Sequence, residues 1–315
     1  MSPLLTSCLA LAALFYLLGK SADLAIYNLR IIAEKLGICI FFLGLVMGFF
    51  TSLPEMAIGI NAIIDNVQNI SLGNLFGGIM VLFGLILGIN ICLQRKIKSE
   101  QNLWQFGAIM IFLIIPIILG LDGTLGMIEG LIIIVGYFVL LFALYYRQKH
   151  GVNAYCLSDR KGLIKHSFLF LLGVVLVLIV ANFTVDLAAS ILSKLPLSKF
   201  VVGVIIFAIG TNFPEIIIAI RAWKNHVREL SLSNLLGSGM ANMLLVGIFS
   251  VMRPFHLAID NSYYVLLVGL AVLLTLVFIF YKTDKALKRK EGVLLILVYL
   301  LFIVLQIVFE ESVTN

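Results

Sequence analysis

Charge is what this chain has least of. Only 12% of its 315 residues are Asp, Glu, Lys or Arg, against 62% hydrophobic residues and a mean hydropathy of +1.14. A soluble domain carries about a quarter charged residues, so that class is excluded. Stretches polar enough for a separate soluble or regulatory domain are also missing. Histidine is scarce, and His150, His166, His226 and His256 all avoid the middles of the apolar runs. The four cysteines, Cys8, Cys39, Cys92 and Cys156, are scattered without metal-ligand spacing and read as apolar filler. There is no His-Glu-x-x-His, no Gly-x-Ser-x-Gly and no aspartate-rich phosphate motif, so an intramembrane enzyme is not expected and no cofactor is implied.

What is there is length of apolar sequence. A membrane span takes about 20 mostly apolar residues, and ten candidates occur, at 3–19, 36–64, 71–93, 104–121, 125–146, 166–193, 199–222, 231–252, 262–281 and 292–309. The expected fold is an all-α polytopic membrane protein. Met1-Ser2-Pro3 provides no basic n-region, so the first span is expected to be a retained helix. Cytoplasmic loops hold the excess of Lys and Arg. With both termini outside, 19 of the 22 basic residues fall inside, leaving Lys194, Lys199 and Arg253 on the other face. Topology then accounts for the net charge of +6, and neither a nucleic acid nor an obligatory protein partner is implied beyond the lipid bilayer. Tyr145, Tyr146, Tyr263 and Tyr264 read as an interfacial belt.

Within this apolar background one short pattern occurs twice. Thr51-Ser52-Leu53-Pro54-Glu55 and Thr211-Asn212-Phe213-Pro214-Glu215 stand 160 positions apart, and the same offset carries Ser71 onto Ser231, Asn74 onto Asn234 and Gly77 onto Gly237. The chain therefore divides into a first repeat at 1–146, a cytoplasmic linker at 147–165 and a second repeat at 166–315. Five spans per repeat is an odd number, so the halves are expected to be inverted in the membrane, with the binding site at the midplane where broken helices meet. Pro54 and Pro214 supply the break, since proline removes a donor and clashes with the preceding turn. Gly48 and Gly210 lie just upstream.

Residues three and four apart share a helix face. Thr51 and Ser52 therefore line up with Glu55, and Thr211 and Asn212 with Glu215. Carboxylates, hydroxyls and loosened carbonyls form a hard-oxygen set suited to calcium, and soft ligands are absent from both segments. No Lys or Arg lies near either glutamate in these spans, and intramembrane acids are functional candidates by default. Two facing carboxylates resist closure of an empty site. This favours exchange over one-way carriage, because one occupant must be replaced before the return step.

At these residues the chain resembles the cation/calcium exchanger superfamily, the family of sodium/calcium exchangers. The two motifs, followed by Gly73-Asn74-Leu75-Phe76-Gly77 and Ser233-Asn234-Leu235-Leu236-Gly237-Ser238, match that family's paired α-repeats. The resemblance implies a prokaryotic-type secondary antiporter in the plasma (inner) membrane. It also implies calcium held between Glu55 and Glu215, aided by Thr51, Ser52, Thr211, Asn212, Ser238 and Asn242, with sodium competing at the same centre. The first half departs from the pattern: Phe50 stands where the second keeps Gly210, Gly78 matches Ser238 and Leu82 matches Asn242. Asn212 stands where the family usually has serine. A calcium/proton exchanger, or a homologue that binds ions without moving them, remains as an alternative reading.

Overall fold

In a computed structural model the described residues are 3–35, 48–94, 96–98, 103–148, 162–192, 199–212, 215–216, 228–284 and 286–314. They fold into elements that are mostly helical, with four very short strands. In chain order these are α1 (Pro3–Lys35), α2 (Leu53–Ile64), α3 (Gln68–Gln94), β1 (Lys96–Lys98), α4 (Leu103–Leu119), β2 (Thr124–Leu125), α5 (Met127–Gln148) and α6 (Leu163–Leu192). They continue as α7 (Phe200–Thr211), α8 (Arg228–Met252), β3 (Phe255–His256), α9 (Asn261–Asp284), β4 (Ala286–Lys288) and α10 (Arg289–Thr314).

Eight of these helices are long and apolar enough to cross a membrane, and α2 and α7 are shorter apolar helices. This is a multi-pass, mostly helical membrane protein. The expected spans 36–64 and 199–222 carry the two motifs and are described only in part, because residues 36–47, 213–214 and 217–227 lie outside the described residues. The expected end of the first span at residue 19 falls short. No glycine or proline interrupts the stretch after Lys20, and α1 continues to Lys35 along α6, where a Cβ on Gly173 would meet the Ala25 nitrogen at 2.6 Å. His166 and Asn28 join the same pair of helices by a 2.8 Å hydrogen bond.

The strands were not foreseen. β1 pairs antiparallel with β4, placing Lys96 opposite Lys288, and β2 pairs with β3, placing Thr124 opposite His256. Two or three residues leave no periodicity to read.

α3 and α8 are the most enclosed helices, whereas α5, α6, α9 and α10 turn residues such as Phe142, Phe168, Val268 and Leu301 outward. Outward apolar side chains suit helices whose outer faces meet lipid tails. One large apolar cluster draws on α3, α4, α5, α8, α9 and α10. A smaller one joins α1 and α6 to α2 and α7 through Phe15, Ala57, Ala181 and Phe207. Small residues let membrane helices touch backbone to backbone. Where α3 crosses α7, a Cβ added to Gly73 would lie 2.2 Å from the Phe200 oxygen, and one added to Gly203 would lie 2.3 Å from the Ile70 oxygen.

The tyrosine belt needs correction. Tyr145, Tyr146 and Tyr264 are exposed, but Tyr263 is buried and its hydroxyl donates to the Ile117 carbonyl at 2.6 Å. Neighbours on a helix point about 100° apart, so on α9, which packs against α4, Tyr264 turns outward while Tyr263 turns into the protein.

Candidate functional site

The chain bends at the same point in each motif. Ser52 (φ −81, ψ 10) and Asn212 (φ −84, ψ 16) leave helical geometry together, 160 positions apart. In each case the helix resumes with the nitrogen of the residue four further on bonded back across the bend, Met56 to the Ser52 carbonyl at 3.0 Å and Ile216 to the Asn212 carbonyl at 3.3 Å. The side chains repeat the likeness. Ser52 donates to the Gly48 carbonyl at 3.2 Å, and Asn212 donates its amide to the Ala208 carbonyl at 2.6 Å.

The carbonyls before the bends are therefore less free than the sequence led one to expect. The Gly48 oxygen also accepts from Thr51 at 2.9 Å, and the Phe207 oxygen accepts from Thr211 at 3.1 Å. Nor are the upstream glycines hinges. A Cβ on Gly48 would be 2.3 Å from the Ser238 nitrogen, and one on Gly210 would be 2.4 Å from the Phe15 ring. Glycine here brings the first motif against α8 and the second against α1.

All eight residues expected at the site are enclosed. Thr51, Ser52, Glu55, Thr211, Asn212, Glu215, Ser238 and Asn242 each expose 2% or less. The halves interlock through their threonines, Thr51 reaching Ser238 and Thr211 reaching Asn74. Thr51 and Ser238 hydroxyls meet at 2.7 Å, and Ser238 donates to Glu215 Oε1 at 3.2 Å.

Much of this interior's polar capacity is unused. Glu55 Oε2, Glu215 Oε2, Asn212 Oδ1 and both amide atoms of Asn234 and Asn242 are buried with no partner. Unsatisfied buried polar atoms are costly, and a carboxylate pair without a counter-charge is costlier. The stretches of sequence that carry these residues, 48–64, 68–94, 200–216 and 230–252, contain no Lys or Arg. Among the described residues no cluster of three or more His, Cys, Asp or Glu occurs either. What remains is two carboxylates among neutral oxygens, which is the chemistry of a hard cation.

Asn74 was undervalued in the sequence. Its Oδ1 accepts from Thr211 at 3.1 Å, so α3 contributes to the centre. The equal offsets of Asn74 and Asn234 from their glutamates carried that signal. Ser52, by contrast, spends its proton on the backbone.

An apolar, multi-pass helical chain with such an interior is a membrane transporter of cations and not an enzyme. The model of the family described as sodium/calcium exchanger protein matches residues 6–146 and 165–308. The chain belongs to the sodium/calcium exchanger family. It is 26% identical to the sodium/calcium exchanger MaX1 of Methanosarcina acetivorans, over 91% of this chain and 94% of that one. It is 28% identical to an uncharacterised membrane protein of Methanocaldococcus jannaschii, over 91% of this chain and 93% of that one. Among solved structures, that of the sodium-calcium exchanger NCX_Mj soaked with sodium and strontium superposes with a TM-score of 0.70, at 24% identity, over 96% of this chain and 99% of that one.

Proposed function

We propose that the chain is a secondary antiporter that exchanges calcium for sodium by alternating access. Both ions are held between Glu55 and Glu215. The carrying observation is the pair itself: two carboxylates, 1% exposed each, one in each of two equivalent motifs, with an unpartnered oxygen on both and no basic residue in the surrounding segments. Such a pair is stable only when a cation compensates it. The transporter is thus held at the empty site until another ion enters.

The two-half organisation supports an inverted repeat at 1–146 and 166–315, joined by the linker 147–165. Exchange of a helix with the one five places later returns several of the same contacts. α5 lies on α8 as α10 lies on α3, α4 on α5 as α9 on α10, and α2 on α6 as α7 on α1. The same exchange carries the β1–β4 ladder onto β3–β2. In this reading both termini are outside the plasma (inner) membrane and the linker is cytoplasmic, as the distribution of Lys and Arg requires. Thr51, Thr211, Asn212, Ser238 and Asn242 complete the ion shell, and Ser52, its proton bonded to the Gly48 carbonyl, stands at its edge.

Sealed vesicles loaded with sodium test the proposal. On dilution into sodium-free medium the parent takes up calcium-45, and Glu55→Gln and Glu215→Gln each reduce uptake by about a hundredfold or more, since neither leaves a compensated pair. Uptake driven only by a pH gradient would assign the counter-ion to protons. Calcium binding without flux under either gradient would make the chain an ion-binding homologue.

A further inference from the structure

Resting on that exchange reading, we propose that Phe249 and Arg253 form a gate on the face assigned to the outside, holding α2 against α8 whenever that route is shut. α2 carries Glu55, Gly59 and Ile63 at steps of four residues, and α8 carries Ser238, Asn242, Phe249 and Arg253 at steps of four, seven and four. Such steps keep side chains on one helix face. Each column starts at the ion centre and climbs away from it, by about 6 Å for every four residues.

The two columns meet twice beyond the centre. One turn past Glu55, the buried Phe249 ring occupies the notch left by Gly59, where a Cβ would lie 2.1 Å from ring atom Cε2 and 2.5 Å from Cζ. Ser71 Oγ lies 2.8 Å from the same point, and this hydroxyl is buried with no hydrogen-bond partner. One turn further out, the Arg253 guanidinium donates to the Ile63 carbonyl at 3.3 Å. Ile63 stands in the last turn of α2, where carbonyls lack helical partners and the helix dipole favours a cation. The other bond to that carbonyl, from the Asn66 nitrogen, is long at 3.4 Å.

An apolar ring wedged between two helices of the site keeps water and ions out, as hydrophobic constrictions do in pores. The unpartnered Ser71 hydroxyl beside it gains a partner only when the ring leaves and water enters. The closure is one-sided. By the 160-residue offset the counterparts of Phe249 and Arg253 are Ile89 and Leu93, 39% and 38% exposed, which supply neither ring nor charge. Weakening the gate therefore shifts the population toward the outward-open form and leaves the ion centre as it is. A site open to the outside for more of the time binds external calcium with higher apparent affinity, and internal calcium with lower.

The test uses the full chain in sealed vesicles, right-side-out and inside-out, with Ser71→Cys as reporter in a background lacking the four native cysteines. Its reaction with a small cationic methanethiosulfonate added from outside is timed in the presence of calcium. Arg253→Gln, a surface change that leaves the core packed, is expected to speed the reaction about fivefold, the worth of roughly one hydrogen bond to a charged donor. Phe249→Ala is expected to speed it about tenfold or more, since the whole ring is lost. Arg253→Lys, which keeps a donor for the carbonyl, returns the rate toward the parent. In the two faster variants half-saturating external calcium falls and half-saturating internal calcium rises. Ser231→Cys, the counterpart of Ser71 probed from the inside, keeps its rate in both, which separates loss of the gate from general loosening. Equal labelling of Ser71→Cys with and without Arg253→Gln, or equal acceleration at both reporters, overturns the gate while sodium-driven calcium uptake stands. No sodium-driven uptake by the parent overturns the exchange reading, and this inference with it.

Discussion

At the scale of single residues, the site separates hydroxyls by what they already hold. Thr51 touches Ser238 as well as its own backbone, whereas among the described residues Ser52 bonds to the Gly48 carbonyl alone. Thr51→Val keeps the shape and removes an oxygen from the ion shell. It is expected to weaken half-saturating calcium by roughly tenfold, the worth of about one charge-assisted hydrogen bond, while Ser52→Ala stays within about threefold. Calcium titration of uptake rates distinguishes them, and equal losses in both would show that Ser52 also faces the ion. Tyr263→Phe leaves the Ile117 carbonyl unpartnered, a loss of about 1 kcal/mol or more, seen as a lower detergent melting temperature with transport retained. The two glutamates and their hydroxyl neighbours were legible because the motif occurs twice. Tyr263 and Asn74 were not, because a tyrosine near a span end and an amide within a span each have several common uses. Only the neighbours across the fold decide between them.

Elements were legible to the extent that hydropathy encodes them. Apolar runs located the helices, but the end of α1 depends on contacts with α6 that no run of sequence displays. The π-wound turns at Val81–Ile86 in α3 and Gly203–Phe207 in α7 likewise leave no compositional trace. Such turns recur at functional sites, and here one lies in each of two helices that cross near the carboxylates. That crossing depends on glycine. Gly73→Val would drive a side chain into the Phe200 carbonyl, a backbone atom that cannot step aside. Overpacking of this kind costs about 1–3 kcal/mol or more, so the variant is expected to melt several degrees lower in detergent, or not to assemble. Gly107→Ala is the control, since its Cβ would meet only the Phe278 ring at 3.1 Å, the end of a side chain that can turn. Equal tolerance of both substitutions would show that α3 and α7 are not held at this distance.

For the whole molecule, the proposed inversion of the halves makes a prediction that neither residue chemistry nor helix packing makes alone. Two ladders form, β1 with β4 and β2 with β3, and each takes one strand from either half. If the halves shared one orientation, equivalent connections would lie on the same side of the membrane. Inverted, the connection carrying β1 and its counterpart carrying β3 lie on opposite sides, so the two ladders cap opposite faces. The basic residues agree: Lys96, Lys98 and Lys288 belong to one ladder, whereas the other contains only His256 and uncharged neighbours. In a cysteine-free background, Thr124→Cys is expected to react with a membrane-impermeant maleimide in intact cells, and Lys98→Cys only after permeabilisation. A cysteine placed in the 147–165 linker should behave like Lys98→Cys. Labelling of Thr124→Cys and Lys98→Cys from the same side would refute the inverted arrangement, and with it the reading of Glu55 and Glu215 as inverted counterparts.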